Sequence, residues 1–210
     1  MMSLTELSSE KFLTELASSA PAPGGGGGAA MAGALAAALS SMVCNLTIGK
    51  ERFAAQEAQV KELLEQAEAA RVQLLQLVAD DAAVFNSFMS CYKLPKATDE
   101  EKAARTAAIR AAAKQAAAVP LAIARESFKV LQLADKLVVC GNPGVITDGA
   151  CSGLLARAAL RCAEYNVRIN LGLTKDEEWN AKVQAELSAM LSEAEKLEAE
   201  LLRVTDKALA

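Results

Sequence analysis

Asp81 is the residue whose surroundings most suit it to chemistry. Val60, Leu63, Ala67, Ala70, Leu74, Leu77, Val84 and Phe88 follow steps of three and four, which places them on one apolar seam of a helix. Asp81 is the carboxylate in that series. An acid among aliphatic neighbours is costly unless it is paired, hydrogen-bonded or protonated. It reads either as a general acid or base with a raised pKa, or as a structural carboxylate that caps a neighbouring helix or pairs with a buried Arg or Lys.

A second unusual stretch is Pro21-Ala22-Pro23 followed by five glycines, Gly24 to Gly28. Glycine loses so much backbone freedom in a helix that the run is expected to stay outside one. The helix is then expected from Ala29 to Thr47. A glycine loop feeding a helix start leaves backbone N–H groups free to hold an anion or a polar ring. A flexible linker has the same composition. Ala29, Gly33, Ala37, Ser41 and Asn45 recur every fourth position and form a stripe with little bulk, against which a helix or a flat ligand can lie.

Composition narrows the chemistry. Histidine is absent, which excludes Ser-His-Asp and Cys-His catalysis and the usual mixed zinc sites. Proton transfer must come from carboxylates, lysine, tyrosine, cysteine or water. Five cysteines without a Cys-x-x-Cys pair or a secretory signal point to reduced thiols in the cytoplasm. Lys+Arg 22 against Asp+Glu 26 leaves no basic footprint for nucleic acid. The apolar run 29–39 is too short to span a membrane and reads as buried in protein.

The elements that position these residues are all helical. Alanine and leucine carry the apolar content, and no sustained two-residue alternation marks a strand. The 210 residues suit one domain, 1–210, built as a bundle of long helices. A short helix over 8–18, capped by Ser8 or Ser9, turns Phe12, Leu13 and Leu16 inward. One long helix runs from Glu51 to about Tyr92, and Pro95 closes it. Thr98 to Glu101 is a capping box for the next helix, which Pro120 is expected to kink or break. Gly141-Asn142-Pro143-Gly144 is a turn, after which Thr147 or Asp148 caps a helix to about Asn170. Ser152, Ala156, Ala159, Ala163, Asn166 and Asn170 make a second small, polar stripe on it. It either faces the first stripe across a narrow cleft or packs closely on another helix. Thr174 to Glu177 reads as another capping box. The last helix carries a seam from Val183 to Val204 that packs on its own bundle or on a second subunit, and the chain after about Asp206 is expected to fray.

Taken in order, Pro-Ala-Pro-Gly-Gly-Gly, the stretch 41–50 (SMVCNLTIGK), Asp81-Ala82 with Phe85, Leu94-Pro95-Lys96, Arg105, Val119-Pro120, Gly141-Asn142, Asp148-Gly149-Ala150 and Asn166 to Leu171 resemble one family. The chain is similar, from about Leu4 to Glu178, to the formiminotransferase–cyclodeaminase C-terminal domain family, which includes stand-alone methenyltetrahydrofolate cyclohydrolases. The resemblance implies an all-helical homodimer that binds a tetrahydrofolate between helices. It implies one of two reactions. Either water opens 5,10-methenyltetrahydrofolate to 10-formyltetrahydrofolate, or ammonia leaves 5-formiminotetrahydrofolate as the methenyl ring closes. Two departures stand out. Gly27 and Gly28 replace a Ser and a bulkier apolar residue, and Ala79 stands where the family often has a second acid.

Within that resemblance the residues take roles. Asp81 stabilises the methenyl cation and takes a proton from water, with Asp148 as second choice or as a helix cap. Lys50 gives a proton to the leaving nitrogen, holds a tail carboxylate, or is simply solvated. Gly24, Gly25 and Gly26 let backbone N–H groups approach the ligand. Asn45, Asn142, Asn166 and Asn170 suit the amide-like edge of a pterin, although Asn142 also suits its turn. Arg168 holds a carboxylate or pairs with a buried acid. No step calls for a metal, a nicotinamide or a nucleotide. A reading of another class is a catalytically silent helical dimerisation module, favoured by the long seams and by Ala79.

Overall fold

The computed structural model describes residues 4–210. These residues form six α-helices: α1 (Ser9–Leu16), α2 (Gly25–Asn45), α3 (Glu57–Cys91), α4 (Asp99–Cys140), α5 (Ile146–Thr174) and α6 (Glu177–Leu209). Short 3₁₀ turns lie at Leu4–Glu6, Glu51–Gln56 and Pro143–Val145, and no strand occurs among the described residues.

α2 lies inside the bundle, packed on α3, α4 and α5. Its small residues make that possible. A Cβ on Gly33 would fall 2.9 Å from Ser127 Oγ of α4 and 3.1 Å from a Leu74 methyl of α3. On the α5 side, Ser152 donates to the Ala36 carbonyl at 2.7 Å and lies 2.9 Å from Ser40 Oγ. The two small stripes therefore serve close helix packing over most of their length. Around this centre Leu74, Ile123, Leu131, Leu160 and Val167 are fully or almost fully buried. Truncating any one of these leucines to alanine costs about 2–5 kcal/mol. α6 lays its seam on α4 and α5 of its own chain.

Several local expectations are corrected. Gly25 to Gly28 are the first turn of α2 rather than a loop, and the Gly28 N–H bonds to the Gly24 carbonyl at 2.9 Å. The entropic cost is offset from outside the helix, where the Asp81 carboxylate occupies the space a Gly26 Cβ would need and faces the Gly27 N–H. α2 is thereby long and apolar enough to cross a membrane, but most of it is buried within the bundle. α4 runs unbroken through Pro120. Leu13 points outward, with 60% of its surface exposed, because α1 buries only Phe12. Residues 51–56 are a 3₁₀ turn before α3. The N-cap of α5 is Val145, so Asp148 lies in the first turn and caps nothing. α5 continues to Thr174, Asp176 rather than Thr174 caps α6, and α6 stays helical to Leu209. The capping box at Thr98 and Glu101 is present with both of its bonds.

Candidate active site

The small stripes part at the start of α2, and a cleft of about 310 Å³ opens there. Its floor is Pro21, Ala22 and the glycines Gly24, Gly25 and Gly26. α3 contributes Asp81, Val84, Phe85 and Phe88, and α4 contributes Ala116, Val119 and Pro120. α5 contributes Asn166, Ile169, Asn170 and Leu173. The walls are mostly apolar, with a few polar groups converging at the floor, which is the usual make-up of a small-molecule site.

Asp81 is held by geometry. A Cβ on Gly26 would fall 2.2 Å from its Oδ1 and 2.8 Å from its Oδ2, so only glycine admits the carboxylate there. Its carboxylate faces the Gly27 N–H, so Asp81 sits at the N-terminal end of α2 beside the free donors of the first turn. Burial pushes the Asp81 carboxyl above its ordinary value, and the Gly27 N–H pulls it part of the way back. The structural reading of Asp81 and the chemical one thus coexist in one side chain. Asp80 turns away and accepts from Gln76 at 2.9 Å.

The N–H groups of Gly25 and Gly26 have no acceptor within the helix, as first-turn donors, and Gly24 offers no side-chain cap. Gly24 has no protein atom within 4 Å of where its Cβ would be. Gly25 faces Asn166, whose Nδ2 would lie 3.5 Å from a Cβ there. The amide of Asn166 donates to the Cys162 carbonyl at 2.8 Å, leaving its oxygen as a free acceptor. Asn170 Nδ2 donates to Ala116 O at 2.9 Å and to Asn166 O at 2.8 Å. Ala116 is the residue whose carbonyl loses its helical donor to Pro120, so Asn170 supplies the missing N–H and α4 continues.

The structure thus brings together Asp81, Gly24, Gly25, Gly26, Asn166 and Asn170. Asn45, Lys50, Asn142, Asp148 and Arg168 line no part of this cleft. Asn45 sits at the far end of α2, roughly 30 Å away at 1.5 Å per residue. It borders a shallow groove with Ser41, Glu68 and Arg71. Asn142 ties the far turn together, donating to Leu46 O at 3.0 Å and accepting from the Gly144 N–H at 3.0 Å and Arg52 at 3.1 Å. Its own N–H donates to Thr47 Oγ1 at 2.9 Å. Lys50 precedes the nearby 3₁₀ turn, and Asp148 opens α5. Arg168 leaves α5 on another side and pairs with the buried Glu164 at 3.3 Å.

Pro120, Ile169 and Leu173 belong to the cleft although their chemistry did not single them out. Ile169 and Leu173 follow Asn166 at three and seven positions, so the polar stripe of α5 already implied them. Among the described residues no group of three or more His, Cys, Asp or Glu is placed to hold a metal. Burial, with Cys140 nearby, pushes the Cys44 thiol up to about 12, which makes it a poor nucleophile.

The sequence model for formiminotransferase-cyclodeaminase matches residues 8–189. Methenyltetrahydrofolate cyclohydrolase of Methylorubrum extorquens is 47% identical over 185 residues, covering 88% of this chain and 89% of that protein. Formimidoyltransferase-cyclodeaminase of Sus scrofa is 34% identical over 183 residues, covering 87% of this chain but 34% of that longer protein. The crystal structure of formiminotetrahydrofolate cyclodeaminase from Thermotoga maritima superposes with a TM-score of 0.88 at 27% identity, over 98% of both chains. A six-helix bundle, a glycine-floored cleft and a match spanning most of the sequence lead to one conclusion: the chain belongs to the formiminotransferase-cyclodeaminase family.

Proposed function

We propose that this protein hydrolyses 5,10-methenyltetrahydrofolate to 10-formyltetrahydrofolate, and that residues 1–210 act as one unit. The observation that carries the reading is the Asp81 carboxylate, seated against Gly26 and facing the Gly27 N–H at the edge of an apolar cleft. Such a carboxylate stabilises the methenyl cation and accepts a proton from the attacking water. Water oxygen bonds to the methenyl carbon, the bond from that carbon to N5 breaks, one proton ends on N5 and one is released. Asn166 and Asn170 present amide oxygens to the N–H edge of the pterin, and the Gly25 and Gly26 N–H groups meet its acceptors. Val84, Phe85, Phe88 and Val119 keep bulk water from the reacting carbon. No metal or nucleotide enters this reading. The 47% identity to a cyclohydrolase supports hydrolysis.

The deaminase reaction is the second reading, supported by the likeness to the Thermotoga maritima structure along the whole chain. Both reactions pass through a tetrahedral carbon between N5 and N10, so one carboxylate serves either.

A homodimer is part of the proposal. Leu35 and Met42, seven residues apart on α2, are 55% and 42% exposed. Val72 on α3 and Leu154 on α5 are also exposed. Exposed large apolar side chains on three packed helices suit a second copy. A cytoplasmic setting is supported by five unpaired cysteines.

The test is direct. Purified protein is given methenyltetrahydrofolate and its absorbance is followed, and ammonia release is measured from the formimino compound. Hydrolysis well above the spontaneous rate is expected. Ammonia release with no hydrolysis overturns the first reading in favour of the second. Failure of both, with folate still bound, favours the catalytically silent module.

A further inference from the structure

We propose that Arg105 is the specificity residue for the far end of the substrate, taking the carboxylate of the tail that leaves the cleft. The inference rests on the folate reading of the Asp81 site and extends it along the groove between α3 and α4.

From Asp81 to Tyr92 the chain rises roughly 16 Å along α3. Phe85 and Phe88 line the cleft, and above them Met89 and Tyr92 stay exposed at 43% and 41%. α4 runs back along the same groove. Arg105, Ile109, Ala112, Ala116 and Val119 follow steps of four and three, so Arg105 shares the stripe whose lower part, Ala116 and Val119, is cleft wall. Arg105 and Tyr92 meet at the top. Nη2 and Nε of Arg105 donate to the Tyr92 carbonyl at 3.2 and 3.4 Å, and the guanidinium lies 5.5 Å from the Tyr92 ring centre.

Two features point from this contact to an anion. The partners of Arg105 among the described residues are the carbonyl and ring of Tyr92, both neutral, so its charge is uncompensated by a paired carboxylate. A guanidinium has five N–H donors, and the Tyr92 carbonyl engages two of its nitrogens, so further donors are left over for an anion. A substrate with a polar ring at Asp81, a flat aromatic middle and a carboxylate at its end matches this order of groups. The polar floor takes the ring, the Phe85–Phe88–Tyr92 strip takes the aromatic middle, and Arg105 takes the carboxylate. Arg105 also caps the C-terminal end of α3 through Tyr92, so a structural role must be separated from a binding one.

A substrate-by-variant cycle separates them. Binding and hydrolysis of methenyltetrahydrofolate are compared with those of its glutamate dimethyl ester, whose tail keeps its length but carries no carboxylate, in wild type and in Arg105→Gln. Damage to α3 affects both compounds alike and cancels in the ratio. Wild type is expected to favour the folate by about tenfold in Kd and in kcat/KM, and Arg105→Gln to bring both ratios close to one. Arg105→Lys, which keeps the charge but not the fork, should fall between. Equal ratios in wild type and Arg105→Gln, or no preference in wild type, overturn the proposal. The two claims fail separately. Preference for the folate in Kd that vanishes in Arg105→Gln, without any turnover, upholds Arg105 and removes the reaction. Turnover of both compounds at equal kcat/KM upholds the reaction and removes Arg105.

Discussion

Asn170 donates from Nδ2 to the carbonyl of Ala116 at 2.9 Å, and that carbonyl is the one left without a helical donor by Pro120. One side chain of α5 thus repairs α4 at the wall of the cleft and keeps its own amide oxygen available to a ligand. The repair predicts a coupling. Asn170→Leu leaves a part-buried carbonyl unsatisfied and should destabilise the fold by about 1–3 kcal/mol. In a Pro120→Ala background the helix regains its N–H, and the same change should cost about 1 kcal/mol less. Urea unfolding of the four proteins measures this. Equal costs of Asn170→Leu in both backgrounds would show that the contact carries no such load.

Pro120 also shows where a sequence stops being legible. The helices, their order and most buried positions follow from periodicity, and the seam from Val60 to Leu77 is buried as its spacing requires. What periodicity cannot express is compensation from another element. A proline reads as a break because local rules count only the lost N–H, and five glycines read as a loop because those rules count only entropy. Asn170 answers the first and Asp81 the second, each from a distant part of the chain. Asp81, Asn166 and Asn170 stood out because polar groups on small or apolar stripes are conspicuous. Asn45 and Asn142 looked equally suitable by residue type, and only the length of α2 separates them from the cleft.

The glycines at the cleft floor should behave differently from one another. Gly26→Ala puts a methyl into the Asp81 carboxylate. It should cost about 1–3 kcal/mol of stability and most of the activity. Gly24→Ala meets no protein atom and its backbone is extended, so stability should stay within about 0.5 kcal/mol while KM rises. Thermal unfolding alongside steady-state kinetics distinguishes them. A Gly24→Ala variant as unstable as Gly26→Ala would contradict the assignment of that open space to the ligand.

Asn142→Ala should act on the fold alone. It removes the bond to Leu46 O and two acceptor contacts at the far turn, which should lower stability by about 1–3 kcal/mol. Substrate Kd at a temperature well below unfolding should change less than threefold, taken as roughly 0.6 kcal/mol. A large loss of affinity in a folded variant would place the far turn in the binding site after all.

The raised Asp81 pKa has a signed consequence. Burial lifts the folded-state value above the unfolded one. Between the two values the folded protein holds a proton that the unfolded chain has released, so stability falls as pH rises through that window. Below the unfolded value the penalty is absent. Asp81→Asn removes this contribution, so its stability relative to wild type should increase as pH rises from 3.8, the ordinary value, through the folded-state pKa. Denaturation midpoints of both proteins across that range test it, and a difference independent of pH contradicts it. If the ionised form is the working one, the acid limb of kcat/KM should lie above 3.8 as well.

The most direct measurement is kcat/KM for methenyltetrahydrofolate hydrolysis by Asp81→Asn, beside its Kd for the substrate and its unfolding midpoint. Asparagine keeps the size of the side chain and an oxygen for the Gly27 N–H, but it cannot accept a proton from water. The account predicts a loss of about 10²–10⁴-fold in kcat/KM, with the variant folded and still binding folate. Hydrolysis by folded Asp81→Asn within about tenfold of wild type, a barrier change of only 1.4 kcal/mol, would contradict it.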